Sequence, residues 1–178
     1  MSIRIKDKNF IPFLNKDQIQ ERISQVGAQI TQDFIGKDVV LLGVLNGSFI
    51  FIADLCRSID LPITCSFVKL SSYQGTKSSE KVKSLVGIQE NLKNKFVVIV
   101  EDIVDTGISM NYMLKQISSL NPLGISIVSL LFKPEAFRFN YQIDYVCFEI
   151  PNKFVVGYGL DYDGLGRNLS EIYQLDTP

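Results

Sequence analysis

Near the middle of the chain stands the stretch Phe96-Val-Val-Ile-Val-Glu101-Asp-Ile-Val-Asp105-Thr-Gly-Ile-Ser109, which decides the fold. Its first five residues are apolar and mostly β-branched, a run that is typical of a strand buried on both faces. Two acids follow, and then a third acid, two hydroxyls and a glycine stand just ahead of a predicted helix over about 109–119. We therefore expect a buried strand that delivers polar groups to its carboxyl end and turns directly into a helix.

The rest of the chain repeats this alternation of strand and helix. Asn15 and Gln18 form a candidate capping box, which opens a helix whose apolar residues recur at helical spacing until Gly36. The further predicted elements are a strand Val39–Leu45, a helix 49–58 and strands Ile63–Leu70, Ile125–Phe132, Tyr145–Phe148 and Phe154–Tyr158. Such an order predicts an α/β protein with a Rossmann-like parallel sheet flanked by helices.

The length of 178 residues favours one domain spanning 1–178. The less regular ends, about 1–15 and 150–178, are expected to form a small hood beside the sheet. Residues 71–84 are polar and lack a hydrophobic period, so they predict a long loop or a loose hairpin.

The composition excludes several kinds of chemistry. The chain contains no histidine, which removes Ser-His-Asp and Cys-His catalysis and the common zinc sites. Three cysteines at unrelated spacings indicate neither a disulfide framework nor a zinc site. A net charge of −1 argues against an extended basic surface that binds nucleic acid or an anionic membrane. With no apolar run long enough to span a bilayer, we expect a cytoplasmic protein.

Ligands of open α/β sheets bind at the carboxyl ends of the strands. A carboxylate at Glu101 or Asp102 suits a sugar diol or hydrated Mg²⁺, although adjacent strand residues point to opposite faces. Backbone amides and hydroxyls of 106–109 suit a phosphate at a helix N-terminus. Asp105 would exchange a proton with the ligand held there. The alternative is a pair of solubilising acids followed by an ordinary helix cap.

The segment resembles the phosphoribosyl-diphosphate signature of the type I phosphoribosyltransferases, and the chain from about 10 to 175 resembles their hypoxanthine-guanine branch. The resemblance implies a Mg²⁺-dependent transfer of 5-phosphoribosyl from its 1-diphosphate to N9 of hypoxanthine or guanine, with release of pyrophosphate. It implies that Glu101 and Asp102 contact the ribose, directly or through Mg²⁺. Asp105 would be the base facing N7 of the purine. The 5′-phosphate would be held by Asp105, Thr106, Gly107, Ile108 and Ser109.

Two further segments match the family's diphosphate-binding parts. Leu45-Asn46-Gly47-Ser48 corresponds to its pyrophosphate loop, although many members carry Lys or Arg where this chain has Asn46. Ser72 and Tyr73 open the polar stretch that resembles the family's mobile lid. Without the resemblance, an ordinary strand–helix turn and a plain surface loop would account for these segments.

The remaining matches concern the base and the metal. Lys133 would read a 6-oxopurine, because an ammonium donates to an oxo group and clashes with the amino group of adenine. Phe154 would stack on the base, and the Val155 backbone would bond its edge. Asp161 would hold a second Mg²⁺ beside the purine, and Arg167 would bind pyrophosphate. The segment 163–166 is richer in glycine than is usual in the family, and Ser170 stands where many members have proline.

Other functions compete with this interpretation. A xanthine-preferring relative is an enzymatic alternative, since backbone atoms would meet the extra oxo group. A regulator with the same fold that binds nucleotides and RNA is a non-enzymatic alternative, which the near-neutral charge disfavours. We expect small-molecule partners, 5-phosphoribosyl 1-diphosphate and 6-oxopurines, and a homodimer or homotetramer that binds neither nucleic acid nor membrane.

Overall fold

A computed structural model describes residues 1–72, 82–88 and 90–176 of the chain. The elements in these ranges are β1 (Ile3–Ile5), β2 (Lys8–Leu14), α1 (Lys16–Asp33), β3 (Val39–Leu45), α2 (Phe49–Ser58), β4 (Ile63–Ser72), β5 (Val82–Val86), β6 (Phe96–Val104), α3 (Ile108–Ser118), β7 (Gly124–Phe132), β8 (Tyr145–Glu149), β9 (Val155–Val156) and β10 (Ile172–Leu175). Within the described ranges, no helix has the length and apolarity needed to cross a membrane.

The main sheet confirms the predicted fold class. Its strand order is β5-β4-β3-β6-β7-β8, in which β4, β3, β6, β7 and β8 run parallel and β5 pairs antiparallel at one edge. Buried side chains of α1 and α2 cover one face of the sheet, and those of α3 cover the other. The strands are apolar on both faces because each face of the sheet packs against helices.

Helix α1 begins where its capping box predicts. The Asn15 side chain accepts a hydrogen bond from the Gln18 amide at 2.9 Å, and the Gln18 side chain accepts one from the Asn15 amide at 3.0 Å. Ile19, Ile23, Val26 and Ile30 are buried against the sheet, as their spacing predicts. The helix ends ahead of Gly36, which adopts φ +73°.

Strand β6 is longer than the sequence indicates. The predicted strand ends at Val100, whereas β6 continues to Val104. Pairing with β7 persists through Ile103 and Val104, and both residues pack into the apolar cores on the two sides of the sheet. Glu101 and Asp102 therefore lie inside the strand, and Asp105 is the first residue after it.

A second sheet brings the two ends of the chain together. Its order is β1-β2-β10-β9, and all of its neighbouring strands are antiparallel. The strand predicted over 154–158 is reduced to β9, because Gly157 and Tyr158 both adopt positive φ and turn the chain. The sheet thus ties residues 3–14 to residues 155–175.

The polar stretch 71–84 lies mostly outside the described residues. Strand β4 extends to Ser72, and Ser71 and Ser72 pair antiparallel with Lys83 and Val82 of β5. Tyr73, predicted to belong to a lid, lies outside the described residues.

Candidate active site

The carboxyl ends of three parallel strands meet around one cavity of about 320 Å³. Strand β3 contributes the turn that follows Leu45, β4 contributes Leu70, and β6 contributes its last residues and the loop into α3. Twelve residues that the sequence assigns to sugar, phosphate, pyrophosphate or metal binding border it: Leu45, Asn46, Gly47, Glu101, Asp102, Asp105, Thr106, Gly107, Ile108, Ser109, Asp161 and Arg167. Ligands are expected at this edge of an open α/β sheet.

The loop after β6 forms a cradle at the N-terminus of α3. Gly107 caps the helix at φ +82°, a conformation that glycine adopts without steric cost. The first residues of α3 border the cavity, and the free amides and dipole at a helix N-terminus favour an anion there. No aspartate or glutamate occupies that first turn to compete for the amides.

Aromatic side chains that the sequence analysis did not single out support this cradle. The Tyr141 hydroxyl donates a hydrogen bond to the Gly107 carbonyl at 2.7 Å. A Cβ placed on Gly107 would lie 2.6 Å from the Phe137 ring. Phe137 in turn packs edge-on against Phe132 and Tyr141, with centroids 5.3 and 5.0 Å away. The alternating run Phe137-Arg-Phe139-Asn-Tyr141 was the available signal in the sequence.

Gly47 and Asp102 are in direct contact. A Cβ on Gly47 would lie 1.5 Å from Asp102 Oδ2, so the carboxylate occupies the space that any other residue at position 47 would fill. The Leu45–Asn46 peptide bond is cis, and the Asn46 side chain is exposed. Burial raises the pKa of Asp102 to about 6, partly offset by its bond from the Ile103 amide and by the charge of Arg167.

Glu101 and Asp102 border the same cavity, contrary to the expectation that neighbours on a strand serve different faces. Glu101 is only 7% exposed, and its burial, followed by the charge of Asp102, raises its pKa well above the usual range. Burial also raises the pKa of Tyr141, and the charge of Glu101 adds to this effect. Glu101 is therefore the less solvent-exposed of the two acids.

A second cavity of about 250 Å³ opens beside the first and is bordered by the predicted base-binding residues. Asp102, Asp105 and Asp161 line both cavities, so the two cavities are adjacent and share these residues as walls. Lys133 and Phe154 line only the second. A ligand with one polar and one flatter, less polar part fits such a pair of cavities.

Lys133 directly follows β7 and reaches Asp105. Its Nζ donates to Asp105 Oδ2 at 3.0 Å. The lysine side chain is 8% exposed, whereas that of Asp105 is 45% exposed. A nearly buried ammonium thus depends on a carboxylate that solvent and ligands reach.

Phe154 lies at the edge of the second cavity with its side chain partly exposed. It packs edge-on against Tyr162, with centroids 5.9 Å apart, and at a tilt against Phe10. Lys8 Nζ stands 4.8 Å from the centre of the Tyr162 ring and 5.9 Å from that of Phe154. No local sequence pattern points to Lys8, Phe10 or Tyr162, because residues far apart in the chain assemble this aromatic cluster.

Arg167 and Asp161 form an ion pair at the edge of the first cavity, with Arg167 Nη2 2.5 Å from Asp161 Oδ1. Arg167 Nη1 also donates to the Gly159 carbonyl at 2.6 Å. The Gly164 amide donates to Asp161 Oδ2 at 2.6 Å. The glycine-rich segment 163–166 therefore folds around Asp161, with Asp163, Gly164 and Gly166 all at positive φ.

Not every predicted residue joins the cavities. Ser72 is the last residue of β4, and Tyr73 falls outside the described residues. Among the residues that the structure describes, no three His, Cys, Asp or Glu side chains cluster as a metal site by themselves.

The model of the phosphoribosyl transferase domain family matches residues 14–163 of the chain. This chain belongs to the phosphoribosyltransferase family. It is 42% identical over 170 residues to a hypoxanthine-guanine phosphoribosyltransferase of Mycobacterium tuberculosis, covering 92% of this chain and 84% of that protein. A hypoxanthine-guanine phosphoribosyltransferase of Streptococcus mutans is 40% identical, over 87% of each chain.

Solved structures agree with this membership. A hypoxanthine phosphoribosyltransferase from Staphylococcus aureus superposes with a TM-score of 0.88 at 38% identity, covering 93% of this chain and 90% of that one. The resemblance found in the sequence is thus confirmed, and the chain is a transferase.

Proposed function

We propose that the enzyme transfers the 5-phosphoribosyl group of 5-phosphoribosyl 1-diphosphate to N9 of hypoxanthine or guanine in purine salvage. The observation that carries the proposal is the Lys133–Asp105 pair in the wall of the second cavity. An ammonium group only donates hydrogen bonds, so it accepts a 6-oxo group and is mismatched to a 6-amino group. The printed names of the M. tuberculosis and S. mutans relatives support the same substrates.

The cradle of residues 105–109 would hold the 5′-phosphate. Free amides at the start of α3 and the hydroxyls of Thr106 and Ser109 offer donors around one point. The hydrogen bond from the Tyr141 hydroxyl to the Gly107 carbonyl would hold the cradle in its conformation before phosphate binds. Preorganised donors avoid the cost of ordering the loop during binding.

The other end of the first cavity would hold the diphosphate. Backbone groups around Asn46 and Gly47 and the guanidinium of Arg167 border this region. Glu101, Asp102 and Asp161 are the acids that would hold Mg²⁺ together with diphosphate oxygens. They fit this task, since Mg²⁺ usually takes one or two carboxylates plus substrate phosphates and needs no complete protein cage. Bound there, the ion would supply positive charge to the departing diphosphate.

In the proposed reaction, the bond from C1′ to the diphosphate oxygen breaks and the bond from C1′ to N9 forms. Positive charge develops on the sugar, and the carboxylates beside it stabilise this charge. The purine gives up one proton, and Asp105 is the base that accepts it. Lys133 and Phe154 would hold the purine in line with C1′, which lowers the entropic cost of the step.

Further expectations accompany this function. We propose that the second sheet acts as a hood that covers the base, since Phe154, Val155 and Asp161 border the cavity from that side. We also expect the stretch opened by Ser72 and Tyr73 to act as a lid, and the enzyme to be a homodimer or homotetramer, which light scattering would measure. Location in the cytoplasm remains a prediction.

The decisive experiment mixes the protein with 5-phosphoribosyl 1-diphosphate, Mg²⁺ and, separately, hypoxanthine, guanine, xanthine, adenine or uracil. Nucleotide formation is followed by chromatography, and omission of Mg²⁺ is the control for the metal. We expect product with hypoxanthine and guanine and little with adenine. Absence of product with every 6-oxopurine would contradict the proposal, and salt-dependent RNA binding would then favour the regulator.

A further inference from the structure

Tyr158 lies in a turn that joins the second sheet to the active site. Gly157 and Leu160 bond to each other through both backbone amides at 3.0 Å, which leaves Tyr158 and Gly159 as the central residues of the turn. Both central residues have positive φ, +51° for Tyr158 and +103° for Gly159. A bulky residue rarely adopts this conformation, so the surroundings of Tyr158 must hold it there.

The Tyr158 side chain is held by both helices on its side of the main sheet. The residue is 3% exposed, and its hydroxyl donates a hydrogen bond to Asp54 Oδ2 of α2. Gln20 Nε2 of α1 donates to the same hydroxyl at 3.1 Å and to Asp54 Oδ2 at 2.8 Å. The phenol therefore uses both its donor and its acceptor capacity, and Asp54 also pairs with Arg57 of α2.

The neighbouring residue, Gly159, contacts the groups that would bind pyrophosphate. A Cβ on Gly159 would lie 2.1 Å from the Gly47 carbonyl oxygen, so the two backbones touch at this point. The Gly159 carbonyl accepts from Arg167 Nη1 at 2.6 Å, and the Gly159 amide donates to the Arg167 carbonyl at 3.0 Å. A shift of the turn would move the guanidinium and release the Gly47 loop together.

We propose that Tyr158 is a positioning residue for the pyrophosphate end of the site. Its bonds to Asp54 and Gln20 fix the turn on the two helices, and the turn in turn fixes Arg167 and Gly47. This inference rests on the pyrophosphate role proposed above for Arg167 and Gly47. Tyr158 does not border either cavity, so it acts through these residues and not on the substrate.

The test compares Tyr158→Phe with Tyr145→Phe. Tyr145 is a matched control, since it is also buried and donates to a helix aspartate, Asp33, at 2.7 Å, but it borders neither cavity. The readout is the KM for pyrophosphate in the reverse reaction with inosine monophosphate, beside kcat and the KM for hypoxanthine. We expect Tyr158→Phe to raise the KM for pyrophosphate about tenfold, the effect of about one lost hydrogen bond to a charged group.

In the same variant, the KM for hypoxanthine and kcat should change less than threefold, a limit we set for the assay. Tyr145→Phe should leave all three constants close to those of the parent enzyme. An equal rise of the pyrophosphate KM in both variants would overturn the proposal, because general loosening of the fold would then account for it. Thermal unfolding of both variants measures that loosening directly.

Substitutions of Asp54 give a second, independent arm. Asp54→Asn keeps an oxygen that accepts the phenol proton, so it should restore nearly normal pyrophosphate binding relative to Asp54→Ala. Asp54→Ala and Tyr158→Phe should each raise the KM for pyrophosphate, and the double variant should be no worse than the single ones, since both variants remove the hydrogen bond between Tyr158 and Asp54. If Tyr158→Phe does not fold, Asp54→Ala carries the same expectation. Additive effects would overturn the proposal.

Arg167→Gln tests the proposed pyrophosphate site separately from the positioning role of Tyr158. If it raises the KM for pyrophosphate while Tyr158→Phe and Asp54→Ala do not, the positioning proposal is wrong and the proposed pyrophosphate site stands. If Arg167→Gln leaves that KM unchanged, the assignment of Arg167 to pyrophosphate is wrong, and the role of Tyr158 is overturned with it.

Discussion

Lys133 Nζ lies 3.0 Å from Asp105 Oδ2, which joins the proposed base-reading lysine to the proposed proton acceptor. The nearly buried ammonium is paired with this carboxylate. A buried charge that loses its partner costs several kcal/mol, about 3 or more. An ammonium has three N–H donors, so Lys133 would keep this partner while it donates to the 6-oxo group of a purine in the second cavity. We infer that base recognition and the placement of the proton acceptor are coupled.

Replacing Lys133 with glutamine should weaken the use of 6-oxopurines. The variant loses a charge-assisted hydrogen bond to O6, so kcat/KM for hypoxanthine should fall about 100-fold. Because the glutamine oxygen accepts from a 6-amino group, the adenine-to-hypoxanthine ratio of kcat/KM should rise. Lys153→Gln, at an exposed lysine four residues after the end of β8, is the control and should change neither value. An unchanged ratio in Lys133→Gln would remove Lys133 from base recognition.

Replacing Asp105 with asparagine should affect turnover much more than binding. Asparagine retains the size of the side chain but does not accept the purine proton, so kcat should fall by about 10²- to 10³-fold. The KM values should stay within a few-fold of those of the parent enzyme. Steady-state kinetics measure both, with Asp60→Asn at an exposed position as the control. Normal turnover of Asp105→Asn would show that another group takes the proton.

Replacing Gly47 with alanine should disturb the diphosphate end of the site. The new Cβ would lie 1.5 Å from Asp102 Oδ2, so either the loop or the carboxylate must move. We expect the KM for 5-phosphoribosyl 1-diphosphate to rise at least about tenfold, a loss of about 1.4 kcal/mol. Gly87→Ala is the control, because a Cβ there meets nothing within 4 Å. Adding Asp102→Ala to Gly47→Ala should recover stability but not activity, and a fully active Gly47→Ala enzyme would contradict the contact.

The raised pKa of Asp102 should make stability depend on pH. Burial raises this pKa from 3.8 to about 6 in the folded protein, so the folded state binds more protons than the unfolded chain between these values. The contribution of Asp102 to stability is therefore greatest below pH 4 and is lost as pH rises through 6. Between pH 4 and 7, the free energy of unfolding should fall by about 2 kcal/mol more in the parent protein than in Asp102→Asn.

Denaturant titrations of both proteins without substrate, at several pH values, measure this difference. Asp60→Asn removes an exposed carboxylate and should keep the pH dependence of the parent protein. Parallel curves for the parent and Asp102→Asn would contradict the raised pKa.

The sequence predicts the main sheet well because each of its central strands is a continuous apolar run. The apolar runs of β3 and β6 and the capping box of α1 are local patterns, and each gives the right element. The end of β6 is misplaced, because Glu101 and Asp102 look like a strand end and only the pairing of Ile103 and Val104 with β7 shows otherwise. The polarity of neighbouring residues does not show that a strand continues beyond two acidic residues.

The candidate site is predictable where the family motif is contiguous, as in residues 105–109 and at Gly47. The residues that hold this motif in place are not predictable from the sequence, because their contacts depend on tertiary packing. Tyr141 reaches Gly107 over 34 positions, and Phe10 meets Phe154 through pairing of the chain ends. The charge on Lys133 is visible in the sequence, but its partner Asp105 is fixed only when β6 and β7 lie side by side.

The second sheet has a consequence for the order in which the enzyme is assembled during translation. Strand β10, at Ile172–Leu175, joins β2 to β9 and so connects the segment bearing Phe154 to the amino-terminal strands. Synthesis delivers the phosphate cradle and its supporting aromatics many residues before β10 leaves the ribosome. A nascent chain thus carries the sugar-phosphate half of the pocket while the wall that would stack the base is still incomplete. On the proposed roles, the wall that stacks the base is completed after the phosphate cradle.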